Sequence, residues 1–196
     1  TGIAAGANNL VTTGADGVLR SWAYPINPAR TIAHPDRVLG TTLAPDGKRL
    51  VTAGADKVVR TWAFPAGTAE RQFAGHAGPV TAAAITPDNT TVVSAGDDET
   101  IRVWNAANGM QSAASGGHTG AIPTLAIAPT GQFAVTGGVD GLVKVWALPA
   151  AAPKTFVHPD AVTAFALSPD GNRVLTACAD RQARVWNQTM PAAERA

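Results

Sequence analysis

Short β-compatible runs and turn signals alternate along this chain. VTAAAIT (80–86) is apolar and Thr-bearing, and it stops at the turn PDN (87–89). TTVVSAG (90–96) is a β-branched run that ends in the turn DDE (97–99), where Asp98 is placed to accept backbone N–H bonds. TIRVW (100–104) alternates around Arg102. A weaker segment follows NAANG and leads to His118 as a fourth, outer strand. The second and third runs recur as LVTTGADGVLRSW, LVTAGADKVVRTW, AVTGGVDGLVKVW and VLTACADRQARVW. No segment of useful length repeats every 3.6 residues, so the pattern predicts an all-β chain with very little helix.

The strands recur on a fixed period. Trp22, Trp62, Trp104, Trp146 and Trp186 are spaced by 40, 42, 42 and 40 residues. Six residues before each lies an aspartate: Asp16, Asp56, Asp98, Asp140 and Asp180. Four before each aspartate is a hydroxyl residue: Thr12, Thr52, Ser94, Thr136 and Thr176. Eighteen before the last four of these stands a histidine, His34, His76, His118 or His158, and eleven after each histidine a proline. Histidine to tryptophan is always 28 residues, while tryptophan to the next histidine is 12 or 14. The variable connection is thus expected to be a surface loop. Four strands per ~41 residues match the propeller class of repeat folds.

A Ser/Thr, His and Asp set raises the question of a hydrolase. A catalytic triad occurs once per site, whereas this set recurs in every unit, so it is expected to be architectural. Metal binding by the histidines is disfavoured for the same reason: they stand one per unit and need not converge. Cys178 takes the position of Gly54, Gly96 and Gly138, which fits a buried inert thiol better than a nucleophile.

These positions resemble the WD-repeat β-propeller family across essentially the whole chain. The resemblance implies non-catalytic blades of four antiparallel strands in which His, Ser/Thr, Asp and Trp hydrogen-bond to one another. It gives the sets His34–Thr52–Asp56–Trp62, His76–Ser94–Asp98–Trp104, His118–Thr136–Asp140–Trp146 and His158–Thr176–Asp180–Trp186. The first unit supplies Thr12, Asp16 and Trp22, and its histidine would precede Thr1. The repeats are degenerate: Ala or Asn follows each tryptophan instead of Asp, and only His76 and His118 follow glycine. The expected units are about 1–33, 34–75, 76–117, 118–157 and 158–196 of a single region. Family members usually have seven blades, so the five here are expected to be part of a larger propeller of seven or so. The tail PAAERA (191–196) is expected to stop where an outer strand would begin.

The resemblance also implies a protein-binding face at the histidine end, formed by the positions three and five after each histidine and the one before each aspartate. These are Arg37, Leu39 and Ala55; Pro79, Thr81 and Asp97; Ala121, Pro123 and Val139; Ala161, Thr163 and Ala179. Arg37, Leu39, Thr81, Asp97, Val139 and Thr163 are the candidates to contact a partner. Tyr24, Phe64 and Leu148 are expected to pack at the blade edge. The function implied is a scaffold for protein–protein interaction. Two alternatives stand beside it: an accessory propeller domain of a larger bacterial enzyme, and a self-associating array whose end faces are bare.

Composition narrows the partners. The net charge is +1, from 15 basic and 14 acidic residues, which gives no electrostatic footprint for nucleic acid or an anionic membrane. No apolar run approaches the ~20 residues of a membrane span. One cysteine allows no intrachain disulfide. No cofactor is expected. Richness in alanine points to a GC-rich bacterial genome. The chain begins at Thr1 with no signal-like segment, so it is expected to be truncated at its N-terminus, and its compartment stays open.

Overall fold

A computed structural model of the chain describes residues 2–5, 9–14, 16, 18–23, 30–148, 153–187 and 193–195. All regular structure among them is β, in five four-stranded antiparallel sheets. The first sheet is β1 (Gly2–Ala5), β2 (Asn9–Thr13), β3 (Val18–Ala23) and β4 (Arg30–Ala33). The second is β5 (Val38–Leu43), β6 (Arg49–Gly54), β7 (Val58–Ala63) and β8 (Thr68–Ala74). The third is β9 (Val80–Ile85), β10 (Thr91–Gly96), β11 (Ile101–Asn105) and β12 (Gln111–Ser115). The fourth is β13 (Thr124–Ile127), β14 (Phe133–Gly137), β15 (Leu142–Ala147) and β16 (Lys154–Val157). The fifth is β17 (Val162–Leu167), β18 (Arg173–Cys178), β19 (Ala183–Asn187) and β20 (Ala193–Arg195). Within each sheet the strands follow chain order, and neighbours pair antiparallel.

The last strand corrects an expectation. The tail was expected to stop before an outer strand, yet Ala193 pairs with Trp186 and Arg195 with Val185. The ladder asks only for backbone groups in register along β19, and three residues supply them.

Successive sheets pack face to face in chain order, through β5 on β9, β9 on β13 and β13 on β17. One core holds Val51, Val59 and Phe73 of the second sheet against Val80, Ile85, Val92 and Trp104 of the third. The same positions recur two sheets on: Val135, Val143 and Phe156 of the fourth meet Val162, Val174 and Trp186 of the fifth. Period-2 alternation is muted in β6, β10 and β14 because a sheet between two sheets buries both faces. The approach is close: a Cβ on Gly40 would stand 2.6 Å from the Thr81 carbonyl oxygen of the next sheet. Among the described residues, the fifth sheet does not pack on the first as neighbours pack on each other, so the row of sheets is not closed.

Phe64 is buried with Ile32 and Trp62, and Leu148 packs against the core of Val93, Ile101, Ala134 and Trp146. Tyr24 lies outside the described residues.

Candidate functional site

The recurring polar residues meet where each sheet's second and third strands approach the loop that enters it. In the third sheet the chain of bonds is complete. Trp104 Nε1–H donates to Ser94 Oγ at 2.8 Å, and Ser94 Oγ lies 2.8 Å from His76 Nε2. His76 Nδ1 lies 2.9 Å from both oxygens of Asp98. A carboxylate only accepts, so Nδ1 carries the ring proton and Nε2 accepts from the serine. Asp98 is held further by the Ala77 N–H at 2.9 Å and by the Thr100 hydroxyl at 2.8 Å. The fourth sheet repeats the arrangement. Trp146 donates to Thr136 at 2.8 Å, Thr136 is 2.9 Å from His118 Nε2, and His118 Nδ1 is 3.0 Å from Asp140. The Thr119 N–H donates to Asp140 at 2.9 Å.

The other two sets do not close, against expectation. Trp62 donates to Thr52 at 3.0 Å and Thr52 lies 3.3 Å from His34 Nε2, but His34 Nδ1–H turns to the carbonyl of Asp36 at 2.9 Å. Asp56 instead pairs with Arg60 at 2.6 Å. In the fifth sheet, Trp186 and His158 both reach Thr176, at 2.9 and 2.8 Å, while Asp180 pairs with Arg184 at 2.6 Å and, among the described residues, no side chain reaches His158 Nδ1. In the first sheet Trp22 donates to Thr12 at 3.2 Å and Asp16 pairs with Arg20 at 2.9 Å.

The sequence around each histidine supplies the reason. Where the set closes, the histidine is flanked as GHA (75–77) or GHT (117–119); where it fails, as AHP (33–35) or VHP (157–159). Gly75 and Gly117 take φ of +158° and +146°, which side-chain-bearing residues rarely adopt. Ala33 and Val157 instead end the regular outer strands β4 and β16. The residue after the histidine donates its N–H to the aspartate when it is Ala77 or Thr119; Pro35 and Pro159 have none to give. Deprived of that donor, the carboxylate turns to the cation four residues on. Arg102 lies 3.8 Å from Asp98, and Lys144 donates to Thr155 instead, at 3.2 Å.

Burial pushes all four histidines below their ordinary pKa, which keeps the rings neutral. For Asp98 and Asp140, burial works upward, but hydrogen bonds outweigh it and the net shift is down; the His76 ring leads at Asp98, and the Thr119 N–H leads at Asp140. The Arg184 hydrogen bond holds Asp180 at about 2.

The histidine-end rim is organised by a backbone bond in each of the last four sheets. The N–H before the aspartate donates to the carbonyl three after the histidine: Ala55 to Arg37, Asp97 to Pro79, Val139 to Ala121 and Ala179 to Ala161, at 2.9 to 3.1 Å. These paired positions therefore stand side by side. Arg37, Asp97 and Val139 are exposed, and Leu39 is half-buried. Thr81 and Thr163 turn their hydroxyls inward, onto the carbonyls of Ala95 and Ala177 at 3.1 and 3.2 Å, and Thr81 also reaches Ile122 O at 2.5 Å. Asp36 and Asp160 are further exposed acids on this rim, each accepting the next residue's N–H. Sequence reading passed over them; the HPD tripeptides at 34–36 and 158–160 were the available signal. Cys178 is buried, with its thiol 2.9 Å from Asp160 O.

At the opposite end, three of the prolines eleven after the histidines, Pro45, Pro87 and Pro129, line one apolar groove of about 350 Å³ with Ile85, Ile127 and Ala128. Among the described residues, no three His, Cys, Asp or Glu side chains group as a metal site would need, and no helix is long and apolar enough to cross a membrane.

The family model described as "WD domain, G-beta repeat" matches residues 26–63, 67–105, 111–147 and 153–187. The chain belongs to the WD40-repeat family. Each matched WD40 segment opens on the fourth strand of one sheet and runs through the third strand of the next, ending at the tryptophan strand. WD40 repeats generally mediate protein–protein interaction and are typically non-catalytic. Compared with curated proteins, the chain matches none.

Proposed function

We propose that this WD40 protein is a non-catalytic scaffold that binds a protein partner on its histidine-end rim. Its sheets would be blades of a β-propeller, and the five units part of a larger ring of seven or so. The observation that carries the reading is the repeated rim bond, from Ala55 to Arg37 and its three counterparts, which holds the exposed Arg37, Asp97 and Val139 on a rigid support. A preorganised surface binds without the cost of ordering itself first. The Ser94–His76–Asp98 set does not argue for hydrolysis. Ser94 is fully buried and its oxygen already accepts from Trp104, so a substrate carbonyl has no approach to it.

The test is affinity capture with the wild-type chain, Arg37→Ala/Asp97→Ala, and Arg71→Ala on the exposed face of β8 as control. The reading expects a bound protein to be lost with the rim variant and kept with the control. Equal capture by all three removes the rim as the binding face.

A further inference from the structure

The turn between the second and third strands holds charged residues in a backbone shape that favours glycine. Lys57, Glu99 and Arg181 take φ of 70°, 65° and 69°, in the place that Gly141, at 73°, holds in the fourth sheet. All four donate their N–H to the carbonyl three residues back, at 3.1 to 3.3 Å, so the turns are alike. A side chain in this conformation crowds its own backbone, and glycine relieves that without cost. A charged residue kept there points to a role outside the fold. The position also reaches beyond its own sheet: a Cβ on Gly141 would stand 2.9 Å from His158 O, in the loop that enters the next sheet.

These charges have no work inside the molecule. Arg20, Arg60 and Arg184 pair with the aspartates four residues before them, and Arg49 pairs with Glu70. Arg37 and Lys57 are exposed on the rim of the second sheet, and Asp97 and Glu99 on that of the third. Among the described residues, no ion pair or side-chain hydrogen bond engages any of these four side chains. The fourth sheet offers neither sign. Its Asp140 is turned inward to His118, its Lys144 is buried, and its turn exposes Val139 by 49 %. The rims are tied together. The Ile122 N–H, in the loop entering the fourth sheet, donates to Gly96 O at 3.3 Å, at the turn that carries Asp97 and Glu99. Each of these three sheets packs between two others, so the row of rims belongs to the middle of the array and not to its end faces.

Packed sheets stand about 10 Å apart and an extended chain advances about 3.3 Å per residue, so a segment crossing the rims meets a new sheet roughly every three residues. We infer that the rim binds an extended protein segment with an acidic, a basic and an apolar residue, in that order and about three residues apart, set against Arg37 and Lys57, then Asp97 and Glu99, then Val139. The inference rests on the rim being the binding face and adds the chemistry of the partner. The order is enforced by repulsion as well as attraction, since the reversed segment lays its acid nearer Asp97 and its base nearer Arg37.

The probe is a displayed library of random peptides, selected on the wild-type chain. Enrichment of the acidic, basic, apolar order is expected, with binding roughly tenfold weaker to Arg37→Glu/Lys57→Glu. Exchanging the acid of the peptide for lysine is expected to restore binding to that variant and to weaken it to wild type, a compensation that loss of structure does not give. Asp97→Lys/Glu99→Lys should behave in the same way toward the base of the peptide. All four side chains are exposed, so both variants are expected to keep the wild-type β spectrum. No enrichment, enrichment without this order, or reversal without rescue overturns the inference. Peptides of another pattern that Arg37→Ala/Asp97→Ala still abolishes would sink the charge order and leave the rim as the binding face. Peptides indifferent to every rim variant would sink both.

Discussion

The backbone N–H of Ala77 donates to Asp98 at 2.9 Å, and the residue in the same place beside Asp56 is Pro35, which has no N–H. Four-membered networks form on one side of this difference, and aspartate–arginine pairs on the other. Replacing Ala33 by Gly and Pro35 by Ala together is expected to swing Asp56 from Arg60 to His34. NMR of the His34 ring checks this, with a protonated Nδ1 bonded to carboxylate as the expected signature. The reverse change, Gly75→Ala with Ala77→Pro, is expected to release Asp98 from His76 and lower stability by about 1–3 kcal/mol, the usual range for a broken buried hydrogen-bond network.

The two kinds of aspartate also differ in what their removal costs. Asp98 satisfies His76, the Ala77 N–H and Thr100. Asp98→Ala is expected to cost about 1–3 kcal/mol, or roughly 3–10 °C in Tm for a chain of this size. Asp16 pairs with Arg20 on an exposed surface, where an ion pair contributes little. Asp16→Ala is expected to leave the melt unchanged within error. Thermal melts of the two variants side by side decide the matter, and equal losses would show that the network adds nothing to an ordinary pair.

Acid should loosen the fold in two stages. The four histidines are held below their ordinary value of 6.5 by burial, so they are neutral in the fold and take up protons more readily once unfolded. Their contribution is complete above about 6.5 and is lost as pH falls below it toward the folded values. The aspartates follow. Asp98 and Asp140 lie below 3.8 in the fold, and the Asp180 contribution is lost between 3.8 and about 2. Tm measured from pH 8 down to pH 3 should be flat to about 6.5 and then decline. A Tm that holds or rises between pH 7 and pH 5 would contradict the neutral-ring assignment.

The central strands were readable because short β-branched runs bounded by turn residues mark them even where both faces are buried. TIRVW (100–104) and TTVVSAG (90–96) fall within a residue of β11 and β10 at each end. The outer strands were harder to see: β12 is QSAAS and β20 is AER, sequences with little apolar character, whose place comes from the ladder of the neighbouring strand. The spacing of His34, Thr52, Asp56 and Trp62 matches that of His76, Ser94, Asp98 and Trp104, yet only the second set closes. Spacing fixes which backbones are adjacent; the missing donor at Pro35 and the ordinary backbone of Ala33 decide where the carboxylate turns. The hydroxyl bonds of the two threonines of the candidate face were not legible either. Thr81 and Thr163 sit at register shifts in the ladder, where their hydroxyls meet carbonyls the pairing leaves open.

The stagger between the family repeats and the sheets has an evolutionary corollary. Segment 67–105 contributes β8 to one sheet and β9 to β11 to the next. Excising it would splice the third strand of the earlier sheet to β12, which would take over the vacant edge. The gene can therefore gain or lose whole modules while every sheet keeps four strands, and each module clasps its neighbour through the peptide backbone as well as through side-chain packing.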